Sequence, residues 1–419
     1  MSGSKTFHAL KVIGFSKICG KAFSLLFIFL CSQKGLNQGL GHLFQFYFIA
    51  GILNLICGYG YQIKLLRINA EKNSRKWYKA LCESIVQILL SSTIILLITL
   101  FLIFTEVLEL PNHQIKFSLF SIAFIFHSYF TILNRLYFGL KTYLVIELAP
   151  ICCSLLAFLV FASNYQQTPQ FVVNCIGFGY LISFLVSGAF FFYNVQYKLL
   201  LQYSSLILKS GPKILKITET HISVLINTIN GYAITLILIK TLSVQDLGSY
   251  YIAESLSGIN ALVLTTVNLT YAPVFKKYLE SKSNYLVRKT LFTTGCIGFV
   301  VSLAVFIFYN TCQDLIFNLF PSLTKNGGIV LNKLCIAQIF NLSCCSVGLL
   351  LNLAKMEKYY IASQTITTIL TGILFFIQKS HTLIEVTNLI VFNIILWNLI
   401  CLGIILFKFK YDHIRKNKV

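Results

Sequence analysis

Residues 10–31 read LKVIGFSKICGKAFSLLFIFLC. The run is long and apolar enough to cross a bilayer as a helix, which takes about 20 residues. Yet it carries Lys17 and Lys21, four apart, a spacing that stacks them on one helix face. At ~1.5 Å per residue they lie roughly 6 to 14 Å into the span. An ammonium there costs at least ~2.5 kcal/mol on insertion scales. Two arrangements lower that cost. A lysine in the first half of a span can snorkel back to the cytoplasmic headgroups, a route easier for Lys17 than for Lys21, one turn deeper. Alternatively the lysine face borders a protein-lined aqueous hollow. That arrangement predicts a cationic cavity inside the membrane, and a cargo with an anionic head.

The composition places the whole chain in lipid. Of 419 residues, 57% are hydrophobic and only 11% charged, with mean hydropathy +0.77; soluble domains carry about 25% charged residues. The 13 cysteines sit mostly within apolar runs, as do Cys57, Cys152, Cys153 and Cys344, where Cys acts as a small hydrophobe. No C-x-x-C or Cys/His spacing reads as a metal site, and no cofactor is expected. The opening, MSGSKTFHALK, is not followed by an A-x-A-like cleavage site after its apolar run. The run is therefore read as a retained first span.

Twelve runs are long enough to span: 10–31, 41–63, 82–105, 117–139, 143–162, 171–193, 217–240, 248–272, 290–311, 331–354, 359–377 and 386–407. The seventh has a polar first half, tolerable if it faces a lumen. With the N-terminus inside, 26 of the 34 Lys and Arg fall on the cytoplasmic side and six on the outer side, Lys17 and Lys21 set apart. The positive-inside rule asks for this bias. It explains most of the formal net charge of +21 without nucleic acid, and it places both termini in the cytoplasm.

The chain also repeats weakly. Gln38-Gly39-Leu40-Gly41 opens the second span and Gln245-Asp246-Leu247-Gly248 the eighth; the offset, 248 minus 41, is 207 residues, about half the chain. Phe48-Ile49-Ala50 and Tyr251-Ile252-Ala253 follow at nearly the same distance. Six spans per half is even, so both halves point the same way. The expected fold is an all-α polytopic membrane protein with twelve transmembrane helices in two six-helix lobes, 1–205 and 206–419 with a basic cytoplasmic tail. A pseudo-two-fold along the membrane normal relates the lobes, as in transporters with parallel repeats and a cargo site between them.

No enzyme constellation is present: no nucleophile elbow, P-loop or H-E-x-x-H. The ionisable residues within spans are few. Arg135 and Glu147 face each other across a tight connection and can pair; Arg135 also joins the candidate cationic set. Lys240 and Glu254 allow the same hairpin argument, with Asp246 competing, and Glu219 and His221 begin the seventh span. His127, mid-span, is either a proton site or a hydrogen-bonded packing residue. Asn227, Asn230 and Tyr232 give the seventh span a polar stripe, with Asn260 on the eighth. Such amides suit sugar hydroxyls or helix-to-helix hydrogen bonds.

The stretch from Leu242 to Ala253, LSVQDLGSYYIA, continuing through Tyr271-Ala272-Pro273-Val274, resembles the start of the C-terminal lobe of polysaccharide flippases. Gly248, Tyr250, Ala253 and Pro273 fill the family's pattern. The first lobe's counterpart departs from it, with Leu43 where Tyr is expected. The resemblance is to Wzx-type O-antigen flippases of the multidrug/oligosaccharidyl-lipid/polysaccharide exporter superfamily, and it covers the whole chain in span count and length. It implies a bacterial inner-membrane protein that moves undecaprenyl-pyrophosphate-linked oligosaccharide to the outer leaflet. Lys17, Lys21 and Arg135 would meet the pyrophosphate. Asn227, Asn230, His127 and Glu254 are candidates for glycan contact or for coupling to a proton or sodium counter-ion. Membrane lipids and other polysaccharide-assembly proteins are the remaining expected partners. The alternatives are a glycosyl polymerase or ligase of the same pathway, which typically needs a larger outer loop, a cation-coupled drug antiporter of the superfamily, and a lipid II flippase.

Overall fold

The computed structural model describes residues 3–58, 82–83, 93, 114–137, 140–162, 168–194, 230, 232–344, 346–354, 356–378 and 381–416. The third expected span, 82–105, the connections 64–81 and 195–216, and the first half of the seventh span, with Glu219, His221 and Asn227, lie outside the described residues apart from three positions in 82–105. Among the described residues the regular structure is helical throughout, with no strand.

The helices are α1 (Gly3–Gln33), α2 (Asn37–Gly58), α3 (Gln114–Tyr137), α4 (Leu140–Phe161) and α5 (Pro169–Asn194), then α6 (Tyr232–Thr241). They continue with α7 (Val244–Ser257), α8 (Ile259–Glu280), α9 (Asn284–Thr311), α10 (Gln313–Leu319), α11 (Lys325–Ser343), α12 (Val347–Leu353), α13 (Glu357–Ile377) and α14 (Leu383–Lys416). Among the described residues, seven spans are long and apolar enough to cross a membrane, or eight with the bent stretch Val244–Glu280. Large side chains such as Phe292, Phe376 and Phe407 stand at least 72% exposed. An apolar surface of that extent requires lipid rather than water around it: the chain is a multi-pass membrane protein.

The ends of these helices follow local chemistry. α1 stops at Gly35, whose φ of 69° suits glycine. Leu36 N–H donates to Cys31 O at 3.0 Å and Gly35 N–H to Ser32 O at 3.0 Å, the two bonds of a Schellman termination. α7 starts at Ser243, whose hydroxyl accepts the Asp246 N–H at 3.1 Å and donates to the Asp246 carboxylate at 2.7 Å. Asp246 is thereby occupied with capping. α14 starts with a reciprocal box in which Thr382 N–H donates to the Glu385 carboxylate at 2.9 Å and Glu385 N–H to Thr382 Oγ1 at 3.4 Å. Pro273, inside α8, has no N–H for the carbonyl four residues earlier. The stretch Val244–Glu280 bends by 41° there, within α8 between Asn268 and Thr270.

Contacts divide the chain into two compact units, Met1–His42 with Asn230–Val419, and Leu43–Ile229. In the second, α4 packs along α5 and α3 along α5. Gly179 lets α5 approach the Pro150 carbonyl and Ser154 of α4. Tyr47, Phe124 and Tyr180 form an aromatic cluster, with Phe124 and Tyr180 centroids 4.9 Å apart.

In the first unit, α11 packs against α7, α9 and α14, and α13 against α14. Phe275, Val287, Val347, Leu350, Leu351 and Ile405 fill one core cluster. The N-terminal helix is fastened to this unit. Ser322 N–H donates to Ser32 Oγ at 2.9 Å, and Gln33 Nε2 donates to the Asn318 and Leu319 carbonyls at 3.1 and 3.0 Å. Phe29 meets Phe320 edge-on at 6.1 Å.

The two glycines of the sequence repeat meet in this unit. A Cβ on Gly41 would collide with the Val244 carbonyl, and a Cβ on Gly248 with the Asn37 carbonyl. Asn37 and Val244 each stand four residues before their own glycine. The contact is therefore reciprocal, as a two-fold relation between these helix starts demands. Asn37 Nδ2 adds a bond to Gln245 O at 3.1 Å.

Candidate functional site

Lys17 and Lys21 share the α1 face that their spacing predicts, with different surroundings. Lys17 is exposed, between Phe15 at 59% and Ile18 at 57% exposure. Lys21, one turn further along, is half-buried. Its Nζ lies 3.1 Å from the point where a Cβ on Gly258 would be, and that point is 3.0 Å from the Glu254 carbonyl oxygen and 3.4 Å from that of Ser255. The ammonium therefore rests on the C-terminal end of α7, where Gly258 caps the helix by donating its N–H to the Glu254 and Leu256 carbonyls. A helix C-terminus carries partial negative charge and favours a cation.

Glu254 completes this arrangement. Its side chain is exposed on α7 between buried neighbours, Ala253 and Ser255, and it attracts Lys21 electrostatically. The partner of this carboxylate thus comes from α1 and not from Lys240, which is exposed at the end of α6. No sequence signal links positions 21 and 254; the packing of α1 on α7 and α8 brings them together. Close by, Asn260 is fully buried, its Nδ2 donates to Ser257 O at 3.1 Å, and its Oδ1 has no hydrogen-bond partner. Tyr309 on α9 donates its hydroxyl to Leu256 O at 2.8 Å and fixes the last turn of α7 from the opposite helix.

The other sequence candidates are dispersed. Asn230 is buried and donates its Nδ2 to Thr365 Oγ1 on α13 at 2.8 Å, a helix-to-helix bond. His127 is buried on α3. Thr131 spends its hydroxyl proton on the His127 carbonyl at 2.8 Å, so the contact of 3.3 Å between Thr131 Oγ1 and Nε2 requires Nε2–H as donor. Nδ1 lies 2.9 Å from Ser183 Oγ on α5, so both ring nitrogens have a hydrogen-bonding neighbour. Arg135 lies in the last turn of α3, but its side chain, like all of Asn227, lies outside the described residues. Glu147 on α4 is half-buried. No group of three or more His, Cys, Asp or Glu suited to a metal ion occurs among the described residues.

No protein-family model matches the chain, and no curated protein matches it in sequence. Solved structures do match. An inward-facing multidrug resistance MATE family transporter of the MOP superfamily superposes with TM-score 0.70 at 14% identity, covering 94% of this chain and 95% of its own. The outward-facing form of a MATE family transporter of that superfamily gives TM-score 0.58 at 10% identity, covering 98% and 96%. A mutant of the Vibrio cholerae MATE transporter VcmN gives 0.58 at 11%, covering 97% and 98%. At such identities the likeness concerns architecture, and the chain has, over nearly its entire length, the all-helical fold of MATE transporters of the MOP superfamily.

Proposed function

We propose that this protein is an alternating-access transporter whose cargo is a lipid-linked oligosaccharide carrying a pyrophosphate, moved from the cytoplasmic to the outer leaflet of a bacterial inner membrane. The observation that carries the reading is Lys21: an ammonium inside an apolar span, half-buried against the end of α7 rather than extended to a headgroup. A pyrophosphate and its hydrophilic glycan cannot cross hydrocarbon unaided. A protein-held cation offers the charged head a partner in a low-dielectric setting, where charge-assisted bonds are strongest. The polyprenyl tail needs no site, since lipid accommodates it. The fold neighbours are transporters, and rocking of one half against the other is the motion that parallel repeats support. In this reading Lys17 and Arg135 assist capture, and the amides of Asn227 and Asn230 contact the glycan.

Lys21→Ala, Lys17→Ala and the double variant test this at constant expression. Surface polysaccharide falls in the Lys21 variant, and binding of undecaprenyl pyrophosphate to the purified protein weakens by about 10- to 150-fold, the value of a charge-assisted bond of ~1.5–3 kcal/mol. Unchanged polysaccharide in the double variant removes the lysines from the cargo site.

One observation favours a second reading, a cation-coupled antiporter of multidrug type. Glu254 is an exposed carboxylate on a membrane helix, suited to exchanging cations. The variants discriminate: if Glu254→Gln abolishes transport while Lys21→Ala leaves it intact, the cargo is a cation.

A further inference from the structure

α9 turns one stripe outward. Tyr285, Phe292 and Phe299 recur every seven residues and are exposed, the first two at 72% and 75%. That spacing keeps them on one helix face, and Arg288 and Lys289 share it, three and four residues after Tyr285 and four and three before Phe292. Aromatic surface of this exposure on a membrane helix meets lipid. The two cations stand about 6 Å beyond the helix start at Asn284, at the level where headgroups give way to acyl chains. Lys289 is exposed and can reach the headgroups on its flexible stem. Arg288 differs. It is half-buried, and its Nε is closed to solvent without a hydrogen-bond partner among the described residues. The first turn of α9 holds no acidic residue. Between 271 and 300 the sequence has five basic residues and one acidic, Glu280, which is exposed. A charged donor closed to water and left without an acceptor is unfavourable. A phosphate removes the defect, because the guanidinium fork matches its oxygens.

We propose that Arg288 and Lys289 hold the phosphate of an anionic phospholipid from the adjacent leaflet, with its acyl chains lying along Phe292 and Phe299. The occupant is a lipid and not a free anion, because the two cations open directly onto a stripe that faces acyl chains. It is an anionic and not a zwitterionic lipid, because Lys276, Lys277 and Lys282, all exposed at the adjoining end of α8 and its turn, add positive potential that attracts a net negative headgroup. The site does not depend on what the protein transports.

The test uses the full-length protein in detergent and its thermal unfolding midpoint, with dioleoylphosphatidylglycerol, dioleoylphosphatidylcholine or inorganic phosphate added at equal concentration. A ligand that binds only the folded state raises the midpoint as its concentration rises. Phosphatidylglycerol is expected to raise it by about 2 °C or more, and the other two by much less. Arg288→Gln and Arg288→Lys both lose most of that rise, the lysine because it lacks the fork. Lys276→Gln, which removes an exposed cation of α8, keeps it. Native mass spectrometry of the same variants counts bound phosphatidylglycerol directly, so that an Arg288 variant of low stability is still scored; it is expected to retain less than wild type. Four results overturn the proposal. An equal rise with inorganic phosphate makes the occupant a free anion. An equal rise with phosphatidylcholine makes the contact indifferent to headgroup charge. A loss in Lys276→Gln as large as in Arg288→Gln reduces the effect to general attraction. Arg288 variants that retain as much phosphatidylglycerol as wild type remove Arg288 from the site.

Discussion

At the scale of single residues, charged and polar side chains inside the membrane separate by what they touch. His127 has both ring nitrogens engaged, by Ser183 and Thr131, and its place is structural. His127→Leu takes the ring from the Ser183 hydroxyl, while Thr131 keeps its bond to the backbone carbonyl of residue 127, and a buried polar group left unsatisfied costs about 1–3 kcal/mol. The expected outcome is a lowered unfolding midpoint with unchanged transport per folded molecule; a loss of transport at unchanged midpoint assigns the ring to proton transfer instead. Gly258 is argued to act through Lys21, since it leaves the ammonium its place. Its φ of −65° tolerates alanine, so Gly258→Ala changes space and not backbone. It is expected to weaken pyrophosphate binding in the wild type about tenfold and to have no further effect in a Lys21→Ala background, the non-additivity of residues in contact. Additive effects make Gly258 a packing residue only. Lys21 itself was legible in the sequence as an anomaly, whereas Glu254 was legible as a coupling candidate and a hairpin partner for Lys240, and not as the neighbour of Lys21.

At the scale of elements, the crossing of α2 and α7 depends on two glycines that stand at equivalent repeat positions. Each abuts the backbone carbonyl of the other helix, an obstacle that cannot move aside as a side-chain tip can. Overpacking of this kind typically destabilises by about 1–3 kcal/mol. Gly41→Ala and Gly248→Ala are expected to lower the unfolding midpoint by similar amounts, because the contact is reciprocal; a large inequality between them contradicts the two-fold relation. The repeat motif was visible in the sequence as three identities in a stretch of four residues. That its two copies touch was not, because a 207-residue offset (248 minus 41) says nothing of distance in space. The Schellman end of α1 at Gly35 and the Ser243 cap were written locally, since capping needs only neighbouring residues. The bend of α8 was also local, following from Pro273 alone.

At the scale of the whole molecule, the distribution of basic residues along the sequence predicts which side of the membrane each terminus occupies. With the positive-inside rule, a green fluorescent protein fused after Val419 is expected to fluoresce and an alkaline phosphatase fused there to stay inactive; the reverse result places the C-terminus outside and requires an odd number of spans. The sequence by itself determined that this is a helical membrane protein, and it located the spans corresponding to most of the described helices. It could do so because a bilayer imposes its demand on continuous runs of about 20 residues, a property that can be read one window at a time. Only the tertiary structure decided that α1 is fastened through Ser32 and Gln33 to the loop and helix around 318–322, and that Lys21 meets Glu254 at Gly258. Those contacts join residues far apart in the sequence, Gln33 with Asn318 and Lys21 with Gly258. They arise from how helices pack side by side once inserted, where small residues and polar pairs choose the neighbours, and no local pattern of hydrophobicity records that choice.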